Sequence, residues 1–136
     1  MAKKQIATFL GPNQGLSIVG EYSYAFSGTF PSVNGDQTML SFSTGKEFHV
    51  GKFTFNGPVN MDNAGAGGSA VYQISFNGQI VALGKVDTVT GNVPPAQNQF
   101  QEVIIPPLTT VELISRCGED TAAELVTATF TGRVYA

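Results

Sequence analysis

The chain has 136 residues, of which 42% are hydrophobic and 12% charged, and a net charge of −3, which suits one domain with one core and about half the charge of an ordinary soluble domain. Net acidity, with a single basic pair at Lys3-Lys4, argues against a nucleic-acid surface, which needs clustered cations to displace counterions. Cys117 is the only cysteine, which rules out an internal disulfide and a cysteine-rich zinc site, and no apolar run reaches the roughly 20 residues of a membrane-spanning helix.

The start, Met-Ala-Lys-Lys-Gln-Ile, lacks a following signal-peptide core, so the expectation is a chain made in the cytoplasm. Residues 1–15 read as an N-terminal arm, expected to dock on a neighbouring subunit, and residues 16–136 as one domain. Strand patterning then dominates. From 18 to 26, Ile18, Gly20, Tyr22, Tyr24 and Phe26 alternate with Val19, Glu21, Ser23 and Ala25, which predicts one strand with the aromatic parity buried. Gly28 and the Pro31 to Asp36 stretch end it. A second strand follows over Thr38 to Thr44, with Leu40 and Phe42 facing one way and Met39, Ser41 and Ser43 the other.

In the third strand Phe48 and Val50 share one parity and Phe53 and Phe55 the opposite one. A β-bulge at Gly51-Lys52 would bring all four to the core, and a strand buried on both sides is the alternative. Residues 60–69 are Gly-rich and aperiodic, hence a loop. Ala70 to Phe76 alternates again, and Asn77-Gly78 predicts a type I′ hairpin, since both central positions need positive φ. Gln79 to Val89 is the return strand, and Thr90 to Gln99 a second long loop. Phe100 to Ile105 is stopped by Pro106-Pro107, which cannot donate to a ladder. Thr109 to Cys117 buries Val111, Leu113 and Cys117; Gly118-Glu119-Asp120 turns; Ala123 to Tyr135 buries Val126, Ala128, Phe130 and Val134.

About eight strands without a helical period predict an all-β antiparallel β-sandwich. Long loops and a last strand reaching the C-terminus favour the jelly-roll type, with an immunoglobulin-like sandwich as the alternative.

No catalytic constellation emerges. His49, the only histidine, lies between Phe48 and Val50 on the opposite parity and is expected to face solvent. Cys117 is expected to pack in the core. Asn60-Met61-Asp62-Asn63 offers oxygen ligands for calcium without the spacing of a known loop, and such residues are also turn formers. Gly65-Ala66-Gly67-Gly68 precedes a strand and lacks the Lys-Ser/Thr ending of a phosphate loop. Glu119, Asp120 and Glu124 form an acidic cluster that suits a solvated turn or a salt bridge to a neighbouring subunit. Sugar sites use exposed aromatic rings beside Asn, Asp and Gln; of the four tyrosines Tyr22, Tyr24 and Tyr72 fall on core-like parities and Tyr135 does not, and Trp is absent, so a carbohydrate- or receptor-binding β-sandwich module stands as the alternative function. A cupin or glycosidase would need clustered histidines or paired carboxylates. The expectation is therefore no enzyme, no catalytic or metal residues and no cofactor.

Ile104-Ile105-Pro106-Pro107-Leu108-Thr109-Thr110-Val111-Glu112-Leu113, followed by Val126-Thr127-Ala128-Thr129-Phe130-Thr131-Gly132-Arg133-Val134-Tyr135, resembles the small jelly-roll structural proteins of virus and phage particles. The resemblance covers residues 104–135. It implies a virion component, such as a capsid, vertex, cement or decoration subunit. Its implied partners are copies of itself or a major capsid protein in a homo-oligomeric shell, with no direct contact to nucleic acid.

Overall fold

A computed structural model describes residues 15–60, 68–87 and 98–136. Those residues form nine strands: β1 (Leu16–Val19), β2 (Tyr22–Ser32), β3 (Gln37–Ser43), β4 (Phe48–Asn60), β5 (Ser69–Phe76), β6 (Gln79–Asp87), β7 (Asn98–Ile105), β8 (Thr110–Cys117) and β9 (Thr121–Tyr135). One sheet has the order β1-β2-β9-β4-β7 and the other β3-β8-β5-β6. All pairings are antiparallel, and they nest: β5 with β6, β4 with β7, β3 with β8, β2 with β9. Such nesting is a long ribbon folded over into two sheets, the jelly roll. In an immunoglobulin sandwich the second strand would not pair with the last. The N-terminal arm, apart from Gly15, lies outside the described residues, as do most of the two long loops.

The innermost turn is the predicted one. Asn77 and Gly78 both have positive φ, 51° and 83°, so the type I′ turn joins β5 to β6 at the tip of the ribbon. The predicted single strand over 18–26 is instead a hairpin. Val19 pairs with Tyr22 around Gly20-Glu21, and Gly20 takes a φ of 61°, which a residue with a Cβ adopts only under strain. This adds β1, so the eight expected strands become nine.

The face of β2 is also opposite to expectation. Ser23, Ala25 and Ser27 are buried, while Tyr22, Tyr24 and Phe26 point outward. The small residues fit because polar groups meet them inside: Ser27 Oγ accepts from the Ala128 amide at 2.8 Å, and Ser23 Oγ lies 3.0 Å from His49 Nδ1. Similarly, β4 carries no bulge at Gly51-Lys52. Its register against β7 and β9 runs unbroken from His49 to Asn56, so Phe53 and Phe55 enter the core and Phe48 and Val50 do not. In β3 a register shift between Thr38 and Leu40 buries Met39 together with Leu40, where strict alternation would have turned Met39 outward.

Aromatic rings from both sheets meet in the core. Phe53 and Phe130 of the five-stranded sheet lie 4.8 Å apart, Phe42 of the four-stranded sheet approaches Phe130 at 5.8 Å, and Phe55 stacks on Tyr72 at 5.0 Å. These separations lie in the range where ring pairs add to simple area burial. Leu40, Ile74, Val111, Leu113 and Val126 are fully buried around them. Cys117 is buried with a free thiol, as expected.

Candidate functional site

His49 is the residue that departs furthest from expectation. It shares the parity of Phe53 and Phe55, so the register that buries those rings also buries the imidazole, leaving it 1% exposed. Its Nδ1 reaches Ser23 Oγ across β9, because β2 and β4 flank that strand. Two interstrand spacings are roughly 9.5 Å, and two side chains can bridge them only over a small residue. Gly132, paired with both Ser23 and Gly51, supplies that gap. His49 Nε2 has no hydrogen-bond partner among the described residues.

Burial holds the His49 imidazole below its ordinary value, and the Glu47 carboxylate offsets part of that. The unfolded chain then takes up a proton near pH 6.5 that the folded chain refuses, so stability falls as pH drops through and below about 6.5. Urea unfolding at pH 7.5 and 5.5 should show this loss, and His49→Asn should flatten it. Equal pH slopes for the two proteins would contradict the assignment.

The other candidates stay apart. Asp120 Oδ1 accepts from the Asn34 amide at 2.8 Å, which makes it a clamp between turns. Glu124 is buried, with its carboxyl pushed up first by burial and then by Glu119. Residues 61–67, which carry most of the calcium-like and phosphate-loop-like sequence, lie outside the described residues, as does Lys3-Lys4. Among the described residues no three His, Cys, Asp or Glu side chains gather where a metal ion could sit. No helix among them is long and apolar enough to cross a membrane.

Two outward faces remain, and both carry apolar side chains. On the four-stranded sheet, Leu83 is 67% exposed, and Val71, Ile80 and Val81 are also exposed. A concavity of about 640 Å³ runs between Val71, Leu83 and Ile114. Its polar rim holds the Arg116–Asp36 pair at 2.8 Å and Lys85 beside Asp87 at 3.9 Å.

On the five-stranded sheet the registers align Tyr22, Arg133, Val50 and Ile104 in one row and Tyr24, Thr131, Lys52 and Glu102 in the next. They line a groove of about 700 Å³. Tyr22 is 51% exposed, and Phe26, two rows further along β2, is also exposed, with the Tyr24 and Phe26 rings stacked at 6.0 Å. The Arg133 guanidinium lies 5.8 Å from the Tyr22 ring and 5.9 Å from that of Tyr135, and Lys52 Nζ sits 5.1 Å from the Phe100 ring. Glu21 approaches Arg133 at 3.7 Å, a loose exposed pair of small energetic weight.

Sequence reasoning placed Tyr22 and Tyr24 in the core and so missed this groove. The usable signal was the shared parity of Phe53, Phe55 and His49, which sets the outward face of β4 and, through β9, that of β2.

No family model matches the sequence, and no curated protein matches it. Among solved structures the chain is similar to dimeric latent PorU from Porphyromonas gingivalis, at 14% identity and a TM-score of 0.45 over 81% of this chain and 11% of that one. It is also similar to a chain in the structure of the infectious bursal disease virus Gx strain, at 15% identity and a TM-score of 0.44 over 98% of this chain. This chain therefore spans 11% and 37% of the lengths of those two proteins.

Proposed function

We propose that this chain is a non-enzymatic structural subunit of a virus or phage particle, a capsid, vertex, cement or decoration protein that self-associates and docks on other shell proteins. The observation that carries this reading is the outward face of the four-stranded sheet. Val71, Leu83 and Ile114 surround its concavity, with Lys85 and Arg116 standing on either side of Val71 in the cross-strand register and ion-paired with Asp87 and Asp36. An apolar centre with a polar rim is the anatomy of a protein–protein contact. The charge-poor composition and the resemblance of residues 104–135 to particle proteins support the same reading.

Light scattering of the purified chain across a concentration series tests it. Self-association is the expected result, and Leu83→Glu, at an exposed position that leaves the core untouched, should weaken it by about tenfold or more. A chain that stays monomeric at high concentration and binds no particle would sink the reading.

A further inference from the structure

A central strand of the four-stranded sheet carries an acid, an apolar residue and a base in turn on its outward face. Glu112, Ile114 and Arg116 alternate with the buried residues of β8, so each charge stands about 6.8 Å from Ile114 along the strand. The registers extend Ile114 into a row across the sheet, Thr38, Ile114, Gln73 and Leu83. On one side of that row stand Arg116, Val71 and Lys85, and on the other Ser41, Glu112, Ser75 and Ile80. Arg116 donates from Nε and Nη2 to Asp36 Oδ1, which leaves the Nη1 hydrogens and one on Nη2 for a second acceptor. Among the described residues no cation pairs with Glu112.

We propose that this face, which the reading above takes as a self-association surface, closes on a second copy of itself about a two-fold axis lying along the Ile114 row. Two identical faces can meet only about an axis in the plane between them. An axis along that row sets each strand antiparallel to its counterpart and exchanges the flanking rows, so Arg116 of each copy lies over Glu112 of the other. On the axis Ile114 meets Ile114, Leu83 meets Leu83 and the two Gln73 amides can exchange hydrogen bonds. Asp36 lies over Ser41 and the Lys85 stem over Ile80, so no like charges face each other. An axis along the strands would offer Lys85 to Asp36, which Arg116 already holds, but it sets Ile114 over Gln73 and leaves Glu112 over Ser75 without a cation. Charge complementarity therefore selects the first axis. Four strands of seven to nine residues cover roughly 500 Å² per copy, or about 1,000 Å² for the pair, which suits a specific but weak dimer.

Sedimentation velocity on the full chain tests this with charge exchange. The parent should dimerise with a Kd on the order of 10 μM. Glu112→Arg alone sets two cations over each other at both contacts, and Arg116→Glu alone sets two carboxylates there, so each should weaken the dimer by about tenfold or more. An equimolar mixture of these two variants restores opposite charges at both contacts and should associate within about threefold of the parent, as should the chain carrying both changes. Glu112→Gln and Arg116→Gln, which add no repulsion, should each weaken the dimer by about threefold. Both side chains point away from the core, and urea midpoints equal to the parent's confirm the fold of each variant. A chain that self-associates with indifference to these changes, or a mixture no stronger than its components, would overturn the Ile114 axis and leave self-association standing. A parent that stays monomeric would overturn both.

Discussion

Gly132→Val should destabilise the protein by about 3–5 kcal/mol, a large part of the 5–15 kcal/mol that holds a domain of this size. A Cβ at this position would lie 2.8 Å from Phe130 Cζ and 3.0 Å from the Val50 carbonyl oxygen. A valine there must displace the Phe130 ring and would also block the path between His49 and Ser23. Two costs combine: overpacking, and two buried polar groups left without their shared hydrogen bond. Gly132→Ala should cost less, because it adds one methyl group. The facing Gly51 is more constrained, since its Cβ would run into the Thr131 carbonyl, and backbone cannot move aside as a ring can. Urea denaturation of Gly132→Val, Gly132→Ala and Gly51→Ala measures all three, and a Gly132→Val midpoint equal to that of the parent would refute the packing described.

Phe130→Ala should cost about 3–5 kcal/mol by removing a fully buried ring. The ring touches Phe53 on its own sheet and Phe42 on the other, so its loss opens a cavity between the two sheets that neither neighbour can fill without leaving its own strand. Phe130→Leu should recover part of the loss. The exposed Phe26 is the control: Phe26→Ala removes a ring of the same size and should change stability by well under half as much. Comparable losses at the two positions would mean that the faces of β2 and β9 are assigned wrongly.

Legibility in the sequence followed how many competing constraints each segment carried. Asn77-Gly78 was readable because one dipeptide dictates one turn. The interior of β8 and β9 was readable because Val111, Leu113, Val126, Ala128 and Phe130 alternate against polar neighbours. The β1–β2 hairpin was not, because alternation passes through a two-residue turn without interruption, and only the positive φ of Gly20 separates a turn from a strand. The face of β2 was misjudged because rings were assigned to the core by size. The core already holds Phe130 and Phe53, and what it needs from β2 is the hydroxyls of Ser23 and Ser27. His49 misled for a related reason. Its polarity favoured solvent, yet the Phe53–Phe55 parity fixes the strand, and one buried hydrogen bond costs less than exposing two rings. The groove was illegible as a result, since it is the outward complement of those two assignments.

The nested pairing also sets an order in time. At the ribbon's tip, β5 and β6 close around two residues, whereas Ser27 on β2 meets Ala128 on β9 across 101 residues of chain. Loop-closure entropy rises with each enclosing pair, and contacts so distant along the chain slow folding. Assembly from the tip outward places the β2–β9 pair among the last to form and the first to open. The aromatic groove spans β2, β9, β4 and β7, so it exists only once that outer pair has closed. Hydrogen exchange should find the amides of β2 opening at lower free energy than those of β5.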